Sequence, residues 1–153
     1  MTTDAGSRAG EREALLERFA SFPDRLADAA RAAEGRPVSD GEWISAEVVL
    51  HLIAVEGEVH RNRLADLDRM DEPRWSWAEP GLAPGFDDAP LDTILAAFAV
   101  ARAGTVDVVR VLDDAGWARA GLHATFGRLD VAGLLRLAIE HDEEHLSGLP
   151  SID

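Results

Sequence analysis

The stretch 131–147, VAGLLRLAIEHDEEHLS, reads as an amphipathic helix. Leu134, Leu137, Ala138, His141 and His145 fall on one stripe at helical spacing, and Asp130 precedes it as a cap. Residues four apart stand one above the other, about 6 Å along the axis, so the two imidazoles face the same way. An earlier run carries a similar stripe of Val48, His51, Leu52, Val55 and Val59. All three histidines therefore occupy places where a core-facing apolar residue is expected.

Working outward, residues 11–33 repeat the pattern with Leu15, Phe19, Phe22, Leu26, Ala29 and Ala33. Pro23 inside that run predicts a kink or a fresh helical start, and Gly35 with Pro37 ends it. Ser45 is the expected N-cap of the second helix, with Glu47 in its first turn, and the helix should continue to Arg69. The segment 71–90 holds four prolines and two glycines without a sustained period. It is longer than most connections in compact domains, so it is either functional or wraps the fold. A third helix over 91–114 shows the seam Ile94, Phe98, Ala101, Thr105, Val108 and Leu112. An irregular link follows over 116–127 and contains His123, and no segment predicts a strand. Four amphipathic helices and one long loop between the second and third imply an all-α four-helix bundle. Residues 1–10 are expected to be a flexible N-terminus and 11–149 a single domain.

A chain of 153 residues, 46% hydrophobic, is large enough to bury a core. It contains no cysteine, so any metal must be held by nitrogen and oxygen. A formal charge of −14 provides no basic stripe for nucleic acid and disfavours an anionic membrane surface. No apolar run approaches the roughly 20 residues of a membrane span. The first residues lack the apolar segment of a signal peptide, which makes the cytoplasm the expected location.

Three uncoupled imidazoles in a core are costly to satisfy, whereas one shared cation satisfies all of them. The plainer alternative is that each is buried, neutral and hydrogen-bonded. His60 lies nine residues beyond His51, half a turn out of phase, and should be on the surface. His123 is expected to cap its loop. Glu47 and Glu58 flank His51 and can orient an imidazole, act as a fourth ligand or shuttle a proton; the plainer expectation is that both are solvated. Asp142, Glu143 and Glu144 read as a solvated face. Trp43 and Trp117 read as lids at helix ends. Trp75 and Trp77 either wall a pocket or simply pack. Arg102, beside the third seam, is expected in a surface salt bridge, with an anionic cosubstrate as the other reading.

The run Glu42 to Leu52 with Glu56 resembles the first signature of the DinB/YfiT-like superfamily. Trp117 to Gly121, His123, Gly127, Leu134 to Arg136, His141-Asp142 and His145-Leu146 resemble its C-terminal signature. The resemblance extends from about Leu15 to Leu149 and implies an up-down-down-up bundle, often homodimeric. It implies one divalent transition metal, such as zinc, nickel, iron or manganese, held by His51, His141 and His145. It also implies a small-molecule substrate. Some members are S-transferases using a low-molecular-weight thiol such as bacillithiol or mycothiol, and one branch isomerises maleylpyruvate.

Three classes of function follow. The first is an enzyme in which the metal activates a water or a thiol, the sulfur coming from a cosubstrate. The second is a non-catalytic metal-binding or stress-response bundle. The third is a dimeric interaction module with buried neutral histidines.

Overall fold

The computed structural model describes residues 2–150, with side chains from residue 6 onward. α1 (Thr2–Ala33) begins at Thr2 rather than Glu11, and Met1 lies outside the described residues. It also continues through Pro23 instead of restarting there. The second long helix has three segments: α2 (Ser45–Val55), a π-helical turn (Glu56–Arg61) and α3 (Asn62–Arg69). Its N-cap is Ile44, not Ser45. The Glu47 carboxylate reaches back to accept the Ile44 N–H at 3.1 Å, which serves the helix end without a capping side chain at position 44. Ser45 is thereby drawn into the first turn and buried.

After the crossover segment come α4 (Leu91–Arg110) and the short α5 (Asp114–Ala118). α4 stops before Asp114 because Asp113 leaves the helix and caps α5, accepting from the Gly116 N–H at 2.8 Å. The link expected to be irregular instead folds into strands. β2 (Ala120–His123) and β3 (Gly127–Asp130) form an antiparallel hairpin, and β1 (Arg74–Trp75) adds in parallel to β2. Strands of two to four residues are too short to show a period of two in sequence. Gly121 permits the pairing: a Cβ there would lie 2.6 Å from the Trp75 ring and 2.7 Å from the Pro73 carbonyl oxygen. α6 (Val131–Ser147) closes the fold, capped by Asp130 as expected.

Contacts between helices fix their directions. Arg31 at the end of α1 pairs with Asp92 at the start of α4, and Phe19 meets Arg102 further along, so α1 and α4 are antiparallel. Glu11 pairs with Arg136 and Arg25 with Glu143, so α1 and α6 are parallel. Glu56 meets Arg102 and Arg61 meets Thr105, which makes the second helix parallel to α4. The order is up-down-down-up. Two consecutive parallel helices require the chain to travel back along the bundle, about 30 Å for the length of α4, and this explains the long prolyl segment.

Two apolar clusters fill the interior. One joins Phe22, Leu26, Val49, Leu52, Ile94 and Phe98 at the end where α2 begins, and the other joins Phe19, Leu67, Val109, Trp117, Val131 and Leu135. Among the described residues no helix is long and apolar enough to cross a membrane.

Candidate metal centre

His51 is the residue of α2 that faces α6 between Val48 and Val55, and it is buried. Its ring centroid lies 4.7 Å from that of His145 and 5.6 Å from that of His141, which are 4.4 Å from each other. One ring nitrogen from each lies within 4.8 Å of the others. The Nε2 atoms of His141 and His145 are 3.1 Å apart. Two nitrogens bound tetrahedrally to one zinc ion stand about 3.3 Å apart, so the pair is already spaced as ligands of a shared ion.

The remaining nitrogen of His51 is held by the crossover segment. Its Nδ1 donates to the Gly81 carbonyl oxygen at 3.2 Å, which leaves the Nε2 lone pair free toward the other rings. Burial, then the neighbouring charges of His145, His60, His51 and Arg102, push His141 down to about 3. Burial and His51 also lower His145. His141 and His145 are therefore held neutral, the form that binds a cation. Trp43 covers the group, 4.7 Å from the His51 ring and nearly parallel to His145 at 6.3 Å. The chemistry and spacing of this donor set fit a divalent ion.

Other sequence expectations fare differently. Glu47 is the helix-capping carboxylate, and Glu58 is exposed on the π turn. Neither joins the histidine group. Arg102 is not on the surface: it is 1% exposed. Its Nε donates to Glu56 at 2.9 Å, Nη1 to Asp142 at 2.9 Å and to the Phe19 carbonyl at 2.8 Å, and Nη2 to Asp142 at 3.0 Å. A guanidinium so occupied is not presented to a cosubstrate. Asp142, expected on a solvated face, is buried as its partner, while Glu143 bonds Arg25 and Glu144 is exposed. The signal for this buried triad was present: Arg102 lies four after Phe98, Glu56 four after Leu52, and Asp142 four after Ala138.

His60 also departs from expectation. The π turn widens the helix by one residue per turn, so nine residues advance it about 80° from His51 instead of about 180°. Its ring points inward, 6.4 Å from His141 and 6.1 Å from Phe19, with Nε2 shielded from solvent. Burial, then Arg102 and Arg63, lower it to about 3. His123 caps its hairpin as expected, Nδ1 accepting from Thr125 N at 3.0 Å and Phe126 N at 3.3 Å. Trp75 and Trp117 are core residues, and Trp75 Nε1 donates to Asp66 at 3.0 Å.

The histidines open on a cleft of about 980 Å³, walled by Trp43, Trp77 and Phe126 and floored by Val55, Val59 and Leu135. A family model described as the DinB superfamily matches residues 9–148. No curated protein matches the chain. Among solved structures, YfiT from Bacillus subtilis aligns with a TM-score of 0.70 over 90% of this chain and 83% of that one, at 18% identity. YfiT is described as a probable metal-dependent hydrolase with an unusual four-helix bundle topology. At that identity the likeness is one of fold, and the helix order derived above is itself an uncommon one. With the family's pattern spanning almost every helix of the bundle, the chain belongs to the DinB superfamily.

Proposed function

We propose that the protein is a divalent-metal-dependent enzyme acting on a small molecule, with His51, His141 and His145 as the metal ligands. The observation that carries this reading is the convergence of three imidazoles at the wall of a large cleft. A structural metal site is normally closed by four protein ligands, whereas catalytic sites keep a position free. A divalent ion held here would supply the Lewis acidity that makes a water or a low-molecular-weight thiol nucleophilic near neutral pH. The chain's own groups prepare the site: Gly81 sets the His51 tautomer, and Trp43 shields the rings from bulk water. YfiT's description favours water as the nucleophile. The absence of cysteine means that a sulfur nucleophile must arrive with a cosubstrate.

The test is elemental analysis of untagged protein, wild type beside His51→Ala and His145→Ala, followed by turnover assays with activated esters and with thiol–electrophile pairs. About one equivalent of transition metal, lost in both variants, supports the ligand set. Protein that takes up no zinc, nickel, iron or manganese refutes it. Stoichiometric metal without turnover on either substrate class leaves a binding protein and removes the enzyme.

A further inference from the structure

The same cleft contains Arg63, on α3 one turn beyond His60. In a chain with 29 acidic and 15 basic side chains, a half-buried arginine is expected to find a carboxylate. Arg63 has none: among the described residues no acidic group lies within ion-pair distance of it. Its one acceptor among the described residues is the Ser76 carbonyl, taken by Nη2 at 3.2 Å, and its guanidinium sits over Trp75 at 5.8 Å. Nε, Nη1 and the second Nη2 hydrogen remain, enough for the parallel fork that a carboxylate accepts. Burial lowers its pKa, and its charge bears on both His60 and His123, so it is felt inside the cleft.

A second feature lies beside it. Trp77 and Phe126 are 60% and 44% exposed, with ring centroids 6.3 Å apart, and both line the cleft. Exposed aromatic faces at a cavity wall suit the body of an organic ligand. Resting on the function proposed above, we infer that Arg63 anchors the carboxylate of the small-molecule substrate. The apolar body of that substrate lies along Trp77 and Phe126, and its reacting end lies at the three histidines. Glu79, Glu140 and Glu144 at the rim oppose an anion, yet they are exposed and screened within about 8 Å in physiological salt. The half-buried guanidinium is screened less and offers directed bonds, so it prevails at short range.

The experiment uses the full-length, metal-loaded protein and follows tryptophan fluorescence during titration with 3-phenylpropanoate and with its neutral amide, 3-phenylpropanamide. Wild type should bind the acid at least about tenfold more tightly than the amide. Arg63→Gln should bring the ratio to about one, and Arg63→Lys should recover part of it. Thermal unfolding of each variant checks that the fold is kept. His51→Ala should retain the preference, because the anchor does not need the metal. A preference that survives Arg63→Gln but vanishes in His51→Ala means the metal takes the carboxylate, and overturns the assignment. Equal binding of acid and amide by wild type overturns it as well. A protein that binds no metal yet keeps the Arg63-dependent preference would refute the metal reading alone.

Discussion

Pro23 leaves the carbonyl oxygen of Phe19 without its helical N–H partner, and Arg102 Nη1 from α4 donates to that oxygen at 2.8 Å. A proline in a helix interior costs about 3 kcal/mol, part of it from the orphaned acceptor. Here the orphan becomes one corner of a buried polar network that also holds Glu56 and Asp142. The guanidinium lies 3.8 Å from the Phe19 ring centroid, so it is packed as well as bonded.

This predicts a coupling. Pro23→Ala should stabilise the Arg102→Met background by about 1–2 kcal/mol more than it stabilises wild type, because only there is the carbonyl unmet. Urea unfolding of the four proteins of the cycle measures it. Equal effects in both backgrounds would show that the bond contributes nothing.

Arg102→Met alone leaves two carboxylates buried without their cation, and should cost about 3–5 kcal/mol. Adding Glu56→Gln and Asp142→Leu to that variant should recover much of the loss, since the penalty comes from unpaired charge rather than lost packing. A triple variant no more stable than the single one would contradict this.

The metal-free protein should lose stability on acidification. His60 and His141 are held down to about 3, so below their ordinary value of 6.5 the unfolded chain binds protons that the folded chain refuses. Their contribution is complete above pH 6.5 and falls away toward pH 3. Asp142, raised by burial to about 6, acts with the opposite sign: its contribution is complete below 3.8 and lost as the pH rises through 6. His60→Phe should flatten the decline by up to about 1.4 kcal/mol per pH unit in the upper window. Unfolding titrations at pH 7, 6 and 5 decide it, and an unchanged slope would place His60 in contact with water.

Glu47→Ala should cost about 1 kcal/mol through loss of the cap and leave metal content untouched. Glu58→Ala should alter stability by no more than about 0.5 kcal/mol. Loss of metal in either variant would return that residue to the coordination sphere.

Trp43, 4.7 Å from His51, provides an optical check on the proposed centre. Nickel or copper added to metal-free protein should quench part of the tryptophan emission, and Trp43→Phe should abolish most of that quenching. Unaltered quenching in the variant would put the metal elsewhere.

Much of this molecule was legible before its fold was known. Apolar residues at helical spacing located the four long helices and selected His51, His141 and His145, because the period of an α-helix is a local property of the backbone. The three-stranded sheet was not legible, since its strands are shorter than any pattern that could announce them. Arg102, Glu56 and Asp142 sit on apolar spacing, but a charged residue there is discounted until a partner is known. His60 was misplaced for a different reason: one wide turn between it and His51 shifted the helical phase.

The sequence by itself determined where the four long helices form, the apolar stripe along each and which three imidazoles lie on such stripes. Tertiary structure alone decided that Glu47 caps a helix, that His60 turns inward, that Arg102 is enclosed by two acids and that Arg63 is left without one. Periodicity is written along a single helix, whereas charge pairing and the walls of a cleft depend on which helices pack together and in which direction.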